Sequence, residues 1–110
     1  MYAHDAECLD RVASTIEVLR GKWTVQILCV LVDGPARLSR LRRLMPAASK
    51  KALTANLRSL EKVQLILRRD LSNSVLHVEY EIAQPARAPL VALVDQLSQF
   101  QDYLPVRANE

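Results

Sequence analysis

Apolar residues recur along this chain at spacings of three and four, switch once to a spacing of two, and then return to the first rhythm. In residues 5–20, Leu9, Val12 or Ala13, Ile16 and Leu19 keep helical spacing. Gly21 is expected to stop that helix, because glycine enters the left-handed conformation cheaply. Residues 23–32 are apolar nearly all round, which predicts a central core helix with Trp23 and Cys29 packed inside. Asp33-Gly34-Pro35 ends it. Leu38, Leu41 and Leu44 or Met45 predict a short third helix with Ser39 near its cap. Pro46 makes residues 45–48 a turn, since it biases Met45 away from helix. The next stretch, residues 49–62, carries Leu53, Leu57 and Leu60 on one face. Lys51, Thr54, Ala55, Arg58 and Lys62 fall on the other, and Ser49 can cap its start. Residues 65–71 and 75–83 then read as two strands around the turn Ser72-Asn73-Ser74. In the second strand Leu76, Val78, Tyr80 and Ile82 alternate with His77, Glu79 and Glu81, which puts Tyr80 inward and His77 outward. Pro85 and Pro89 open a last helix over about residues 86–104, with Leu90, Leu93 or Val94, Leu97, Phe100 and Leu104 on its apolar side.

The order helix, turn, helix, hairpin predicts a fold that is mainly α with a β-hairpin wing, a winged helix-turn-helix. Its 110 residues suit a single domain over 1–110, and half of them are hydrophobic, enough for a core. No stretch approaches the roughly 18 uninterrupted apolar residues of a membrane span. The N-terminus lacks a signal pattern, so a cytoplasmic protein is expected. Two cysteines make no disulfide framework. Two glycines, with no GxGxxG or Walker pattern, argue against a nucleotide fold.

Charge sharpens the picture. Between Arg37 and Arg69 stand ten Lys/Arg against one acid, Glu61, while the rest of the chain holds five bases and eleven acids. A basic block among ordered leucines is a footprint for a polyanion, and double-stranded DNA fits it. A helix of this width enters the major groove, where Lys50, Lys51, Thr54, Asn56 and Arg58 are expected to reach bases or phosphates. Arg37, Ser39, Arg40 and Arg43 on the preceding helix, with Arg68 and Arg69 on the wing, are expected to hold phosphates. The same basic face would also serve a protein-interaction module with an acidic partner; steep salt dependence on duplex DNA separates the two. An enzyme is not expected, because no nucleophile triad, carboxylate pair or cofactor motif is present. His4 and Cys8 stand four apart, but two ligands do not make a metal site, so neither metal nor cofactor is expected.

The chain resembles the HxlR-type winged-helix transcriptional regulators. The carrying residues are Arg20-Gly21-Lys22-Trp23-Thr24, then Asp33-Gly34-Pro35 running on to Arg43, then Ser49, Leu53-Thr54, Leu57-Arg58, Leu60-Glu61 and Val78-Glu79-Tyr80. The resemblance implies a bacterial, DNA-binding homodimer on a palindromic operator, with the first and last helices forming the dimer interface. It also suggests an oxidant or small-molecule effector, with Cys8 as the sensing residue. The acids Asp5, Glu7 and Asp10 around Cys8 work against a thiolate and favour an idle cysteine. Ala47 and Gln64 stand where the family usually has glycine, so both turns are expected to differ in shape. The wing carries Ser74-Val75-Leu76 where prolines are common in the family.

Overall fold

The computed structural model describes residues 5–105. Its elements are α1 (Ala6–Val18), α2 (Thr24–Leu31), α3 (Leu38–Leu44), α4 (Lys50–Lys62), β1 (Ile66–Asp70), β2 (Val78–Ile82), α5 (Gln84–Phe100) and a closing 3-10 turn (Gln101–Tyr103). The winged helix-turn-helix expected from the sequence is the fold found. Ile27, Leu28 and Leu31 of α2, Leu41 of α3, and Leu53, Leu57 and Leu60 of α4 meet in one buried cluster. Ile66, Ile82 and Leu90 close it from the wing and from α5. Each such side chain, fully buried, contributes about 1.5–3 kcal/mol.

The strands pair antiparallel with Ile66 opposite Ile82, Arg68 opposite Tyr80 and Arg69 opposite Glu79. Alternation puts Ile66, Arg68, Tyr80 and Ile82 on the inner face and Leu67, Arg69, Glu79 and Glu81 on the outer one. The segment between α2 and α3 adds a link that the hydrophobic pattern did not reveal. Ala36 and Tyr80 exchange both backbone hydrogen bonds, at 2.9 and 2.8 Å, and so tie the wing to the entrance of α3.

Several expectations are corrected by the packing. Cys29 is exposed rather than buried, because the buried side of α2 is the one that carries Thr24, Ile27, Leu28 and Leu31. Trp23 lies half-buried against that core, with the Lys22 ammonium 5.2 Å above its ring. Arg37 is the N-cap of α3 and makes no side-chain capping bond, with Ser39 two residues beyond it, near the cap as expected. The last helix begins at Gln84, ahead of both prolines, and gives way to a 3-10 turn after Phe100. Gly21 is not left-handed. It is needed for close approach, since a Cβ there would run into the Thr24 hydroxyl and come within 2.7 Å of Asn56 Oδ1.

The two departures from family glycines behave differently. Ala47 keeps an ordinary backbone, so its turn needs no glycine. Gln64 does adopt the left-handed conformation, with φ 65°. There the Leu65 N–H donates to Leu60 O at 3.1 Å and the Gln64 N–H to Glu61 O at 2.9 Å, a Schellman ending of α4. A side chain in that conformation costs on the order of 1 kcal/mol. Gln64→Gly is therefore expected to raise stability by up to about 1 kcal/mol in urea unfolding, with the denaturant slope unchanged.

Candidate nucleic-acid interface

The interface is built on α4. Ser49 Oγ accepts from the Ala52 N–H at 3.0 Å and fixes the start of the helix as the sequence predicts. With Leu53, Leu57 and Leu60 buried, Lys50, Lys51, Ala55, Arg58, Ser59 and Lys62 are exposed, and Thr54 is half-buried. On α3, Ser39, Arg40, Arg42 and Arg43 are exposed too. Ser39, Arg42 and Arg43 line a hollow of about 380 Å³ with Pro46 and Ala48, against the start of α4. Arg42 is a residue that sequence reasoning left out of the site, although its place in the basic run signalled it. Among the described residues the salt bridges join Arg20 to Glu17 and Arg69 to Glu81, with His77 beside Glu79. None involves a cation of α3 or α4, so that face keeps its charge unneutralised by the fold.

The structure does not bring every expected residue to this face. Asn56 sits on the flank of α4 that meets α2. Its Oδ1 accepts from the Trp23 N–H at 3.1 Å and from the Thr24 hydroxyl at 2.9 Å. Its Nδ2 donates to Ala52 O at 3.0 Å. The expected base contact from Asn56 thus meets an amide whose oxygen and nitrogen are already engaged within the fold.

The wing divides its two arginines between opposite faces. Arg69 Nη1 lies 2.9 Å from Glu81 on the outer face, where His77 Nε2 also lies 2.9 Å from Glu79. The Arg69 charge is therefore met on that face, and His77 is paired there rather than facing solvent alone. Arg68 is exposed on the other face and makes no ion pair among the described residues. The Ser72 hydroxyl and N–H hold the Asp70 carboxyl below the ordinary aspartate range, with the Arg68 charge adding to the effect. The turn that Asp70 anchors is thus favoured above the ordinary value and loosens as pH falls through the depressed one. Arg37, expected on phosphate, donates through Nη2 to Leu76 O at 3.2 Å and steadies the wing tip.

Cys8 is half-buried in the first turn of α1. Its N–H donates to Asp5 Oδ1 at 2.9 Å, which caps the start of the helix. His4 lies outside the described residues, and among those described no three His, Cys, Asp or Glu gather as metal ligands. No described helix is long and apolar enough to cross a membrane.

Comparison with known proteins agrees with this geometry. The HxlR-like helix-turn-helix family profile matches residues 18–107. The HTH-type transcriptional regulator YtcD of Bacillus subtilis (strain 168) is 42% identical over 86 residues, covering 78% of this chain and 68% of that protein. A crystal structure of a ytcD regulator superposes with a TM-score of 0.77 at 38% identity, over 84% of this chain and 93% of that one. The redox regulator HypR in its reduced form gives 0.78 at 27% identity, over 84% and 91%. The quinone-bound YodB of B. subtilis gives 0.72 at 25%, over 86% and 99%. These relatives are regulators rather than enzymes. With a basic helix α4, a hairpin wing and a family match over most of its length, the chain belongs to the HxlR-like helix-turn-helix family of DNA-binding transcriptional regulators.

Proposed function

We propose that the protein binds a palindromic operator as a homodimer, with α4 in the major groove of each half-site. The observation that carries the DNA contact is the exposed cationic face of α3 and α4, which no acid of the described fold neutralises. Of Lys50, Lys51, Thr54 and Arg58, Lys51 and Arg58 point most squarely away from the buried leucines and read bases; Thr54 and Lys50 lie nearer the flank. Arg42 and Arg43, with Ser39, hold phosphates around the hollow that they line, Arg40 holds one from the exposed side of α3, and Arg68 adds a wing contact. Arg69 contributes only if a phosphate displaces Glu81. That exchange is feasible, because an exposed pair is worth about 0–1 kcal/mol. With the chromosome as its target, the protein works in the cytoplasm.

The dimer rests on α1. That helix buries none of its residues. Leu9, Val12 and Ile16 are 62%, 57% and 59% exposed, an apolar stripe that a single chain does not cover. Val91, Leu97 and Phe100 of α5 are exposed as well. Two stripes of this kind fit a symmetric helical interface, which would set two α4 helices about one DNA turn apart. A hollow of about 620 Å³ runs along α1 and is lined by Asp5, Glu7, Cys8 and Arg11 with Leu93 of α5. This is where an oxidant or small-molecule effector would act on the dimer.

Three outcomes are expected. Selection of bound duplexes from a random pool should return a palindrome, and Arg58→Ala should weaken binding to it by about 1–3 kcal/mol. A folded Arg58→Ala protein that binds as wild type would remove α4 from base reading. Arg40→Ala and Arg43→Ala should each lower the salt slope of binding by about one, across sequences. An unchanged slope, or binding to acidic protein in preference to duplex, would favour the interaction-module reading. In sedimentation at micromolar concentration the wild type should be a dimer, while Ile16→Glu and Leu97→Glu should give folded monomers. A wild-type monomer would reject the assembly.

A further inference from the structure

The start of α2 has no capping side chain of its own. Asn56 of α4 supplies one from 33 residues away, accepting from both the Trp23 N–H and the Thr24 hydroxyl. The Asn56–Nδ2 bond back to Ala52 O, one turn earlier in α4, fixes the amide's orientation, so the oxygen points at α2. Gly21 lets the incoming chain approach this amide, because any Cβ there would collide with it. At the other end of α2, the Arg87 Nη2 of α5 donates to Val32 O at 2.7 Å. Helix α2 is thus tied at its start to the reading helix and at its end to α5.

The packing of Leu53, Leu57 and Leu60 is non-directional, so it defines the rotation of α4 about its axis less sharply than a hydrogen bond does. The bonds at Asn56 are directional. A rotation of one helix by a few degrees moves the tip of a long arginine by an appreciable part of a hydrogen-bond length, which base readout cannot absorb.

We propose that Asn56 is a positioning residue for sequence readout: by fixing α4 to the start of α2, it sets the rotation at which Lys51 and Arg58 meet the bases, without itself touching DNA. The proposal rests on the reading of α4 as the base-contacting helix. It differs from a stability role in what it predicts, because the loss falls on discrimination between sequences rather than on binding as such.

Thr24 makes a clean test, being 3% exposed and out of reach of any ligand. Full-length wild type, Asn56→Ala, Thr24→Val and Thr24→Ser are titrated onto the duplex that wild type selects from a random pool and onto a scrambled duplex, at several salt concentrations. Thermal melts by circular dichroism verify the fold. Asn56→Ala and Thr24→Val should each lose about tenfold on the selected duplex. Their affinity for the scrambled duplex and their salt slope should stay at wild-type values. Thr24→Ser, which keeps the hydroxyl, should restore selective binding. Wild-type selectivity in Thr24→Val would overturn the proposal, even if Asn56→Ala were impaired, for then Asn56 would be acting on DNA directly. Equal losses on both duplexes would overturn it too, by reducing the tie to general stability. If Asn56→Ala fails to fold, Thr24→Val, which preserves the buried volume, decides alone. Arg58→Ala run in parallel separates the two layers: wild-type binding there removes the reading helix, whereas a loss there with none in Thr24→Val removes only the positioning role.

Discussion

The contact between α2 and α4 is the constraint on which the rest of the molecule depends. Three leucines of α4 enter the same cluster as Ile27, Leu28 and Leu31, and every residue of this set is at most 1% exposed. Burying one face of α4 completely is what leaves the opposite face, with Lys51 and Arg58, free for a ligand. The wing follows from the same cluster, since Ile66 and Ile82 anchor its base there.

The basic face carries its charge for a physical reason. The acids of this chain are concentrated at its two ends and on the outer side of the wing. Glu81 and Glu79 meet Arg69 and His77 on that outer side and leave α3 and α4 without neutralising partners. The segregation gives the molecule one strongly positive surface on a modest net charge of +3. A polyanion sees that surface rather than the average.

Helix α1 shows the opposite extreme of packing. It is capped by Asp5 and regular over Ala6–Val18, yet none of its side chains is buried. A helix of 13 residues is marginal in water without a packed face. The exposed stripe of Leu9, Val12 and Ile16 therefore calls for a cover, and a second copy supplies one in the assembly proposed above.

The sequence by itself determined the elements and the core faces. Periodicities of 3.6 and 2 place apolar residues on one side whatever the partner, so Leu53, Leu57, Leu60 and Ile82 were legible as core. The Ser49 cap was legible because it acts over three residues. The cationic face was legible because like charges were grouped in a stretch whose helical face could be counted out. Tertiary structure decided whatever depends on residues far apart in the chain. Asn56 had the chemistry of a base reader, and only the docking of α2, 33 residues earlier, turned its amide inward. Gly21 looked like a helix stop, but the need for glycine comes from Thr24 and Asn56 packed against it. Cys29 sat among apolar neighbours, yet a helix has a side that the core does not reach, and no local pattern says which. Arg68 and Arg69 are equivalent in sequence; strand pairing sent one to Glu81 and left the other unpaired among the described residues. In each case the local pattern specified what a side chain could do, and the packing of distant segments decided which groups it would meet.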